Sequence, residues 1–171
     1  MALTLTLEDG TGLAGSNSFA SAAEGDAYHE SVIYAAAWDA ADTAAKEQAL
    51  VMATRLLDRK TTWKGTRVKS TQALAWPRED VECDDFEIPS NIVPVPVKDA
   101  TAELARLLIS EDLTAEVSQN ELESIGLGKG ALEIKFNGKT KKQIPSIVDD
   151  LLGCYGDLES GGGFVQARTV R

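Results

Sequence analysis

Pro94-Val95-Pro96-Val97-Lys98-Asp99-Ala100-Thr101-Ala102-Glu103-Leu104-Ala105-Arg106-Leu107-Leu108 is the stretch whose reading decides the fold. Pro96 suits the first helical position, where its missing N–H breaks no bond, and Pro94 and Pro96 hold the residues before them extended. Val97, Ala100, Thr101, Leu104, Leu107 and Leu108 then share one helical stripe, leaving Lys98, Glu103 and Arg106 to water. Ala102 and Ala105 permit a second helix to approach closely. This predicts a core helix in a mostly α, α+β fold: a small bundle of about four helices with a β-hairpin, a short N-terminal strand and an extended C-terminal arm.

Upstream, Ser21-Ala22-Ala23-Glu24 has capping-box spacing, which predicts a helix from Ser21 to about Tyr34. Another is predicted from near Asp42 or Thr43, with Ala49, Leu50, Ala53, Leu56 and Leu57 on its apolar stripe. Lys46, Gln48, Arg55 and Arg59 lie on its other side. Leu3-Thr4-Leu5-Thr6-Leu7 alternates as a strand does, and Glu8-Asp9-Gly10-Thr11-Gly12 turns it. Downstream, Leu122–Leu127 and Ala131–Phe136 read as two strands around a glycine-rich turn. A last helix spans about Pro145 to Leu152, and Gly153 can end it. Residues 1–156 therefore form one helical domain with its hairpin near 122–136. Residues 157–171 begin as a linker, Asp157-Leu158-Glu159-Ser160-Gly161-Gly162-Gly163. They end in Phe164-Val165-Gln166-Ala167-Arg168-Thr169-Val170-Arg171, which alternates apolar and polar residues. Such an arm suits addition to a partner's sheet edge; a disordered terminus is the plainer alternative.

At 171 residues and 43% apolar, the chain is long enough to bury a core. No apolar run reaches the roughly 20 residues that span a bilayer, and Met1-Ala2-Leu3-Thr4 has no signal-peptide pattern, so no membrane is expected. Cys83 and Cys154 are too few and too far apart to suggest a disulfide framework, which makes a reducing compartment the expectation. Net charge is −10, the wrong sign for a general phosphate binder.

That charge is blocky. Residues 1–50 hold eight acids and one base, Lys46. Arg55, Arg59, Lys60, Lys64, Arg67 and Lys69 then face a single acid, Asp58. Residues 79–87 carry six acids (Glu79, Asp80, Glu82, Asp84, Asp85 and Glu87) and no base. Opposed blocks suit docking of copies side by side, and each block is equally a solvated face.

Catalytic chemistry finds no foothold. The one histidine, His29, has no nucleophile or second ligand in any recognisable pattern. Neither cysteine has metal-ligand spacing, and Cys83 lies among acids that disfavour a thiolate. The acidic run lacks the calcium-loop spacing and central glycine. Gly126-Leu127-Gly128-Lys129-Gly130 has the wrong glycine spacing for a phosphate loop. No enzyme, cofactor or metal is expected. Lys60, Trp63, Lys64, Arg67, Lys69 and Trp76 do interleave bases with aromatics, as single-strand binders do. Trp63 and Trp76 read more economically as core anchors.

Several motifs together resemble one family of small tailed-phage proteins, labelled DnaT-like single-stranded-DNA binding and similar to head–tail connector adaptors. They are residues 5–12, Ser16-Asn17-Ser18-Phe19, Ala27-Tyr28-His29, Trp63-Lys64-Gly65, Ala73-Leu74-Ala75-Trp76-Pro77-Arg78, the Pro96-led helix and Pro145–Leu152. Gly128-Lys129-Gly130 departs from the family by loosening the hairpin turn. The resemblance implies a non-enzymatic virion neck protein, made in the host bacterial cytoplasm. Its implied partners are the portal protein, further copies in a ring (a dodecamer) and a tail-side connector or tail-completion protein, with DNA passing through unbound. On that reading Phe164, Val165, Gln166, Arg168, Val170 and Arg171 contact the portal. Arg55, Arg59, Lys60, Lys64 and Arg67 then meet Glu79, Asp80, Glu82, Asp84 and Asp85 of a neighbour. The alternative is a replication accessory that binds single-stranded DNA through Trp63, Lys64 and Trp76.

Overall fold

Helix α4, Val95–Ser110, runs through the middle of the molecule as its apolar stripe requires. Val97, Ala100, Leu104 and Ala105 are fully buried. The computed structural model describes residues 3–111, 113, 122–128, 131–136 and 144–158, the two segments within 122–136 as backbone only. Pro94 is the N-cap and Pro96 sits in the first turn. Against α4 packs α3, Thr43–Lys60, capped by Asp42, whose side chain accepts from the Ala45 amide. Leu50, Ala53 and Leu57 enter the shared core, each large aliphatic side chain contributing about 1.5–3 kcal/mol by leaving water.

The shorter helices complete the bundle. Helix α1 is Ala22–His29, and Ser21 and Glu24 form the expected capping box. It ends earlier than the predicted Tyr34; Val32 N–H bonds to the His29 carbonyl in a following turn, and α2, Ala36–Ala40, begins afresh. Trp38 of α2 is fully buried. It lies so close to Gly25 that a Cβ there would sit 2.6 Å from its ring. Helix α5, Ser146–Leu152, lies against α4 through Val148 and Leu152.

Among the described residues the strands form four two-stranded ladders. β1, Thr61–Trp63, follows α3 directly and pairs with β8, Gly156–Leu158. Asp157 and Leu158 therefore belong to the packed domain, although their composition places them in the linker. β2, Thr66–Arg67, pairs with β3, Arg78–Glu79. β4, Glu82–Cys83, pairs with β5, Phe86–Glu87. β6, Leu122–Gly128, pairs with β7, Ala131–Phe136, as the glycine-rich turn predicts.

The N-terminal segment is extended, but its ladder shrinks to one bridge between Leu7 and Ser18. The reason lies in Glu8. Its buried carboxylate accepts from the Gly10, Gly12 and Leu13 amides and from the Ser16 hydroxyl, at 2.8–3.1 Å. These bonds curl the chain into a loop in place of a hairpin strand. No helix among the described residues is long and apolar enough to cross a membrane. Because Glu8→Ala would strand those donors in a buried site, it is expected to cost about 3 kcal/mol, read as a lower urea midpoint; an unchanged midpoint would show that the loop holds without its carboxylate.

Candidate nucleic-acid interface

The exposed end of α3 carries the basic block to the surface. Arg55 and Arg59 are one turn apart on the same side, and both are exposed. They flank a groove of about 290 Å³ lined also by Ser16, Asn17, Val51, Asp58, Ala73 and Leu74. The side chains of Arg55, Arg59, Lys60 and Arg67 form no hydrogen bond or ion pair among the described residues. Asp58 lies between these cations. Burial pushes its carboxyl up, against the bond from the Ala75 amide at 2.8 Å and the nearby charges of Arg67 and Arg78. The groove is therefore an open basic cleft with one acid in its wall and an apolar patch from Val51 and Leu74.

The far wall is built by Gln72–Arg78. The Gln72 amide donates to the carbonyls of Leu74, Ala75 and Pro77, while its oxygen accepts from the Lys69 amide. Arg78, nearly buried, forks onto the carbonyls of Lys64, Gly65 and Ala75. Gly65 adopts a φ of 65°, and a Cβ there would lie 2.2 Å from the Glu79 carbonyl oxygen. The turn after β1 is thus clamped to β3, which aims Lys64 and Arg67 outward. Lys64 Nζ reaches the Gly153 carbonyl at 3.3 Å, and Lys69 Nζ bonds the Thr11 carbonyl. Neither forms an ion pair among the described residues, and the Lys69 charge helps hold the Asp9 carboxyl below its usual range, behind the bonds from Thr11.

The aromatic candidates lie elsewhere. Trp76 has no exposed surface, so it cannot stack on a base, and its reading as a DNA contact is corrected. Trp63 is half-buried, edge-on between Phe19 and Trp76, with ring centroids 6.1 Å from each. Its indole Nε1 is buried without a partner. The pair anchors the core, and Tyr155 continues the chain of rings at 5.9 Å from Trp76.

Glu79, Asp80, Glu82, Asp84 and Asp85 are exposed on the β3–β5 segment. The β2–β3 ladder sets Thr66 opposite Glu79 and Arg67 opposite Arg78, so the acidic run begins beside the basic turn of its own chain. Residues 164–171, the proposed arm, lie outside the described residues. His29 is buried against Trp38 and bonds the Ala102 carbonyl through Nε2 at 3.1 Å. Burial lowers its pKa, opposed by that bond.

Two features escaped the sequence reading. Cys83 and Cys154 form a disulfide across a separation of 71 residues, against the expectation of unpaired thiols; folding brings α5 and β8 back onto the β4–β5 hairpin, which no spacing rule reveals. The cleft itself was also missed, since Asn17 and Leu74 come from segments far from α3. An acid followed by Asp-Gly-Thr-Gly was the one local signal that residues 8–16 form a closed loop near it.

These features belong to a small α+β protein with an open basic cleft. Residues 3–171 match the family described as "Putative DnaT-like ssDNA binding protein", and the chain belongs to that family. Neither the curated proteins nor the solved structures hold a match to it. The family description corrects the expected partner set of portal, ring copies and tail-side connector with DNA passing unbound: it names single-stranded-DNA binding, and no match names a portal.

Arg78→Lys removes the guanidinium fork while keeping the charge. It is expected to destabilise the fold by about 1–3 kcal/mol and to speed hydrogen exchange at the Lys64 amide, which bonds the Tyr155 carbonyl. Unchanged exchange at Lys64 would show that the β1–β2 turn holds without the fork.

Proposed function

We propose that this protein binds single-stranded DNA along the cleft between α3 and the Gln72–Arg78 wall. The observation that carries the reading is the exposed pair Arg55 and Arg59 on the groove, without ion pairs among the described residues, with Lys60 and Arg67 following in the same basic block, in a chain of the DnaT-like family. Phosphates pair with the guanidinium forks of Arg55, Arg59 and Arg67. The apolar patch of Val51 and Leu74 offers a base a dry surface. Trp63 and Trp76 act indirectly, by fixing the turn that presents Lys64.

The net charge of −10 shapes the affinity. Exposed acids such as Glu79, Asp80, Glu82, Asp84 and Asp85 repel a phosphate backbone, so attraction at the cleft is local and short in reach. A short oligonucleotide should bind nearly as well as a long one. A neck-connector role rests on sequence resemblance alone, and no feature of the described residues favours it over DNA binding.

Fluorescence anisotropy with a labelled oligothymidylate tests the reading. Four phosphate contacts predict a log–log salt slope near about −3 for single strands. Arg55→Glu with Arg59→Glu should weaken binding by about tenfold or more and flatten that slope. Equal binding by the double variant would overturn the cleft assignment.

Asp58 adds a pH signature. Its raised pKa means that the proton is taken up at a higher pH than by a free carboxyl. Binding should strengthen as pH falls through that pKa, because the one negative charge between the arginines disappears. Asp58→Asn retains an acceptor for the Ala75 amide and should bind more tightly at neutral pH, with the pH dependence lost. A variant that kept the wild-type pH profile would exclude Asp58 as its source.

A further inference from the structure

Cys83, Asp84 and Cys154 meet on the side of the molecule that holds the β4–β5 hairpin and the end of α5. We propose that, once the disulfide is reduced, these three side chains form a binding site for a zinc-class divalent cation. One thiolate and the carboxylate come from the hairpin, and the other thiolate from the segment between α5 and β8. All three ligand atoms already lie within 4.8 Å of one another, and Asp84 Oδ2 stands 3.8 Å from Cys83 Sγ. A tetrahedral ion with metal–sulfur bonds of about 2.3 Å holds its ligand atoms roughly 3.5–3.8 Å apart. Only small side-chain movements separate the two arrangements.

The hairpin turn places the carboxylate. Asp84 and Asp85 are its two central residues, with φ of 53° and 66°. A two-residue turn with both φ values positive favours Asn-Gly or Asp-Gly, and a second aspartate there is unfavourable locally. Asp84 in that conformation lies beside both sulfurs, while Glu82, Asp85 and Glu87 add negative potential with no base between residues 79 and 87. Two thiolates select zinc, or another borderline or soft ion, over magnesium and calcium. Cys83 and Cys154 are half-buried and Asp84 is exposed. Solvent, reductant and ion can therefore reach the site, and water can take the fourth position.

The chemistry balances without an unnamed reactant. A cellular dithiol transfers two electrons and two protons to the Cys83–Cys154 disulfide and becomes a cyclic disulfide itself. The cation then displaces both thiol protons to solvent as it binds. Either state, disulfide or metal, ties the acidic hairpin to the α5–β8 junction. The chain would keep that link in oxidising and reducing surroundings alike. This inference stands on its own geometry and does not depend on DNA binding.

The test uses the full chain, reduced with a phosphine under argon and titrated with cobalt(II) as the spectroscopic probe. Expected are one equivalent bound, a thiolate-to-cobalt charge-transfer band with tetrahedral d–d absorption, and displacement of cobalt by zinc. Cys154→Ser should lose the band. Asp84→Asn should keep it but weaken affinity by at least about tenfold, whereas Asp85→Asn, which leaves all three ligands in place, should weaken it far less. The proposal is overturned if reduced wild-type protein shows no charge-transfer band, or if Cys154→Ser binds cobalt as the wild type does. Equal affinities of the two aspartate variants would remove Asp84 from the site. Far-UV circular dichroism of each variant separates lost binding from lost folding.

Discussion

Burial of the segment Gln72–Arg78 is the constraint on which the rest depends. Trp76 fills the centre of the core with no surface left in water, touching Trp63 on one side and Tyr155 on the other. A buried irregular segment must satisfy its own carbonyls. Gln72 and Arg78 do so from inside, one amide and one guanidinium reaching the carbonyls of Leu74, Ala75, Pro77, Lys64 and Gly65. The same bonds tie the segment to the turn after α3 and to β3. Remove them and the groove beside α3 loses its opposite wall.

Charge is organised around that wall. The chain is strongly acidic as a whole, yet the basic block from Arg55 to Lys69 is displayed on the end of α3 and the turn that Arg78 clamps. Arg78 itself is used for structure, buried among carbonyls. The side chains of Arg55, Arg59 and Lys60 form no hydrogen bond or ion pair in the described fold, and Arg67 has only the nearby charge of Asp58. Exposed cations left unpaired beside a groove are available for phosphate, and that separation of structural from available cations is the main electrostatic fact of the molecule. The acidic run, which suggested a partner copy, starts on the strand paired with the basic turn.

The Cys83–Cys154 disulfide closes a loop of about 70 residues, a constraint worth roughly 4 kcal/mol in the chain-entropy account. It joins the β4–β5 hairpin to the segment between α5 and β8. Its half-exposed setting contrasts with the Trp76 core and makes it the chemically addressable link in the fold.

By itself, the sequence determined the elements whose signals are local. Pro94 and Pro96 with the stripe from Val97 to Leu108 specified α4, Ser21 and Glu24 specified the start of α1, and alternation around glycines specified β6 and β7. Each depends on side chains a few residues apart, so periodicity and capping suffice. The loop of residues 3–18 went against its own alternation, because a buried Glu8 bonded to three amides outweighs a weak strand propensity. Only the tertiary structure decided that Trp76 is interior, that Cys83 reaches Cys154, and that Asn17, Arg55 and Leu74 line one groove. Those outcomes depend on contacts between residues tens of positions apart. Their energies come from burial and desolvation of whole surfaces, which no short window of sequence contains.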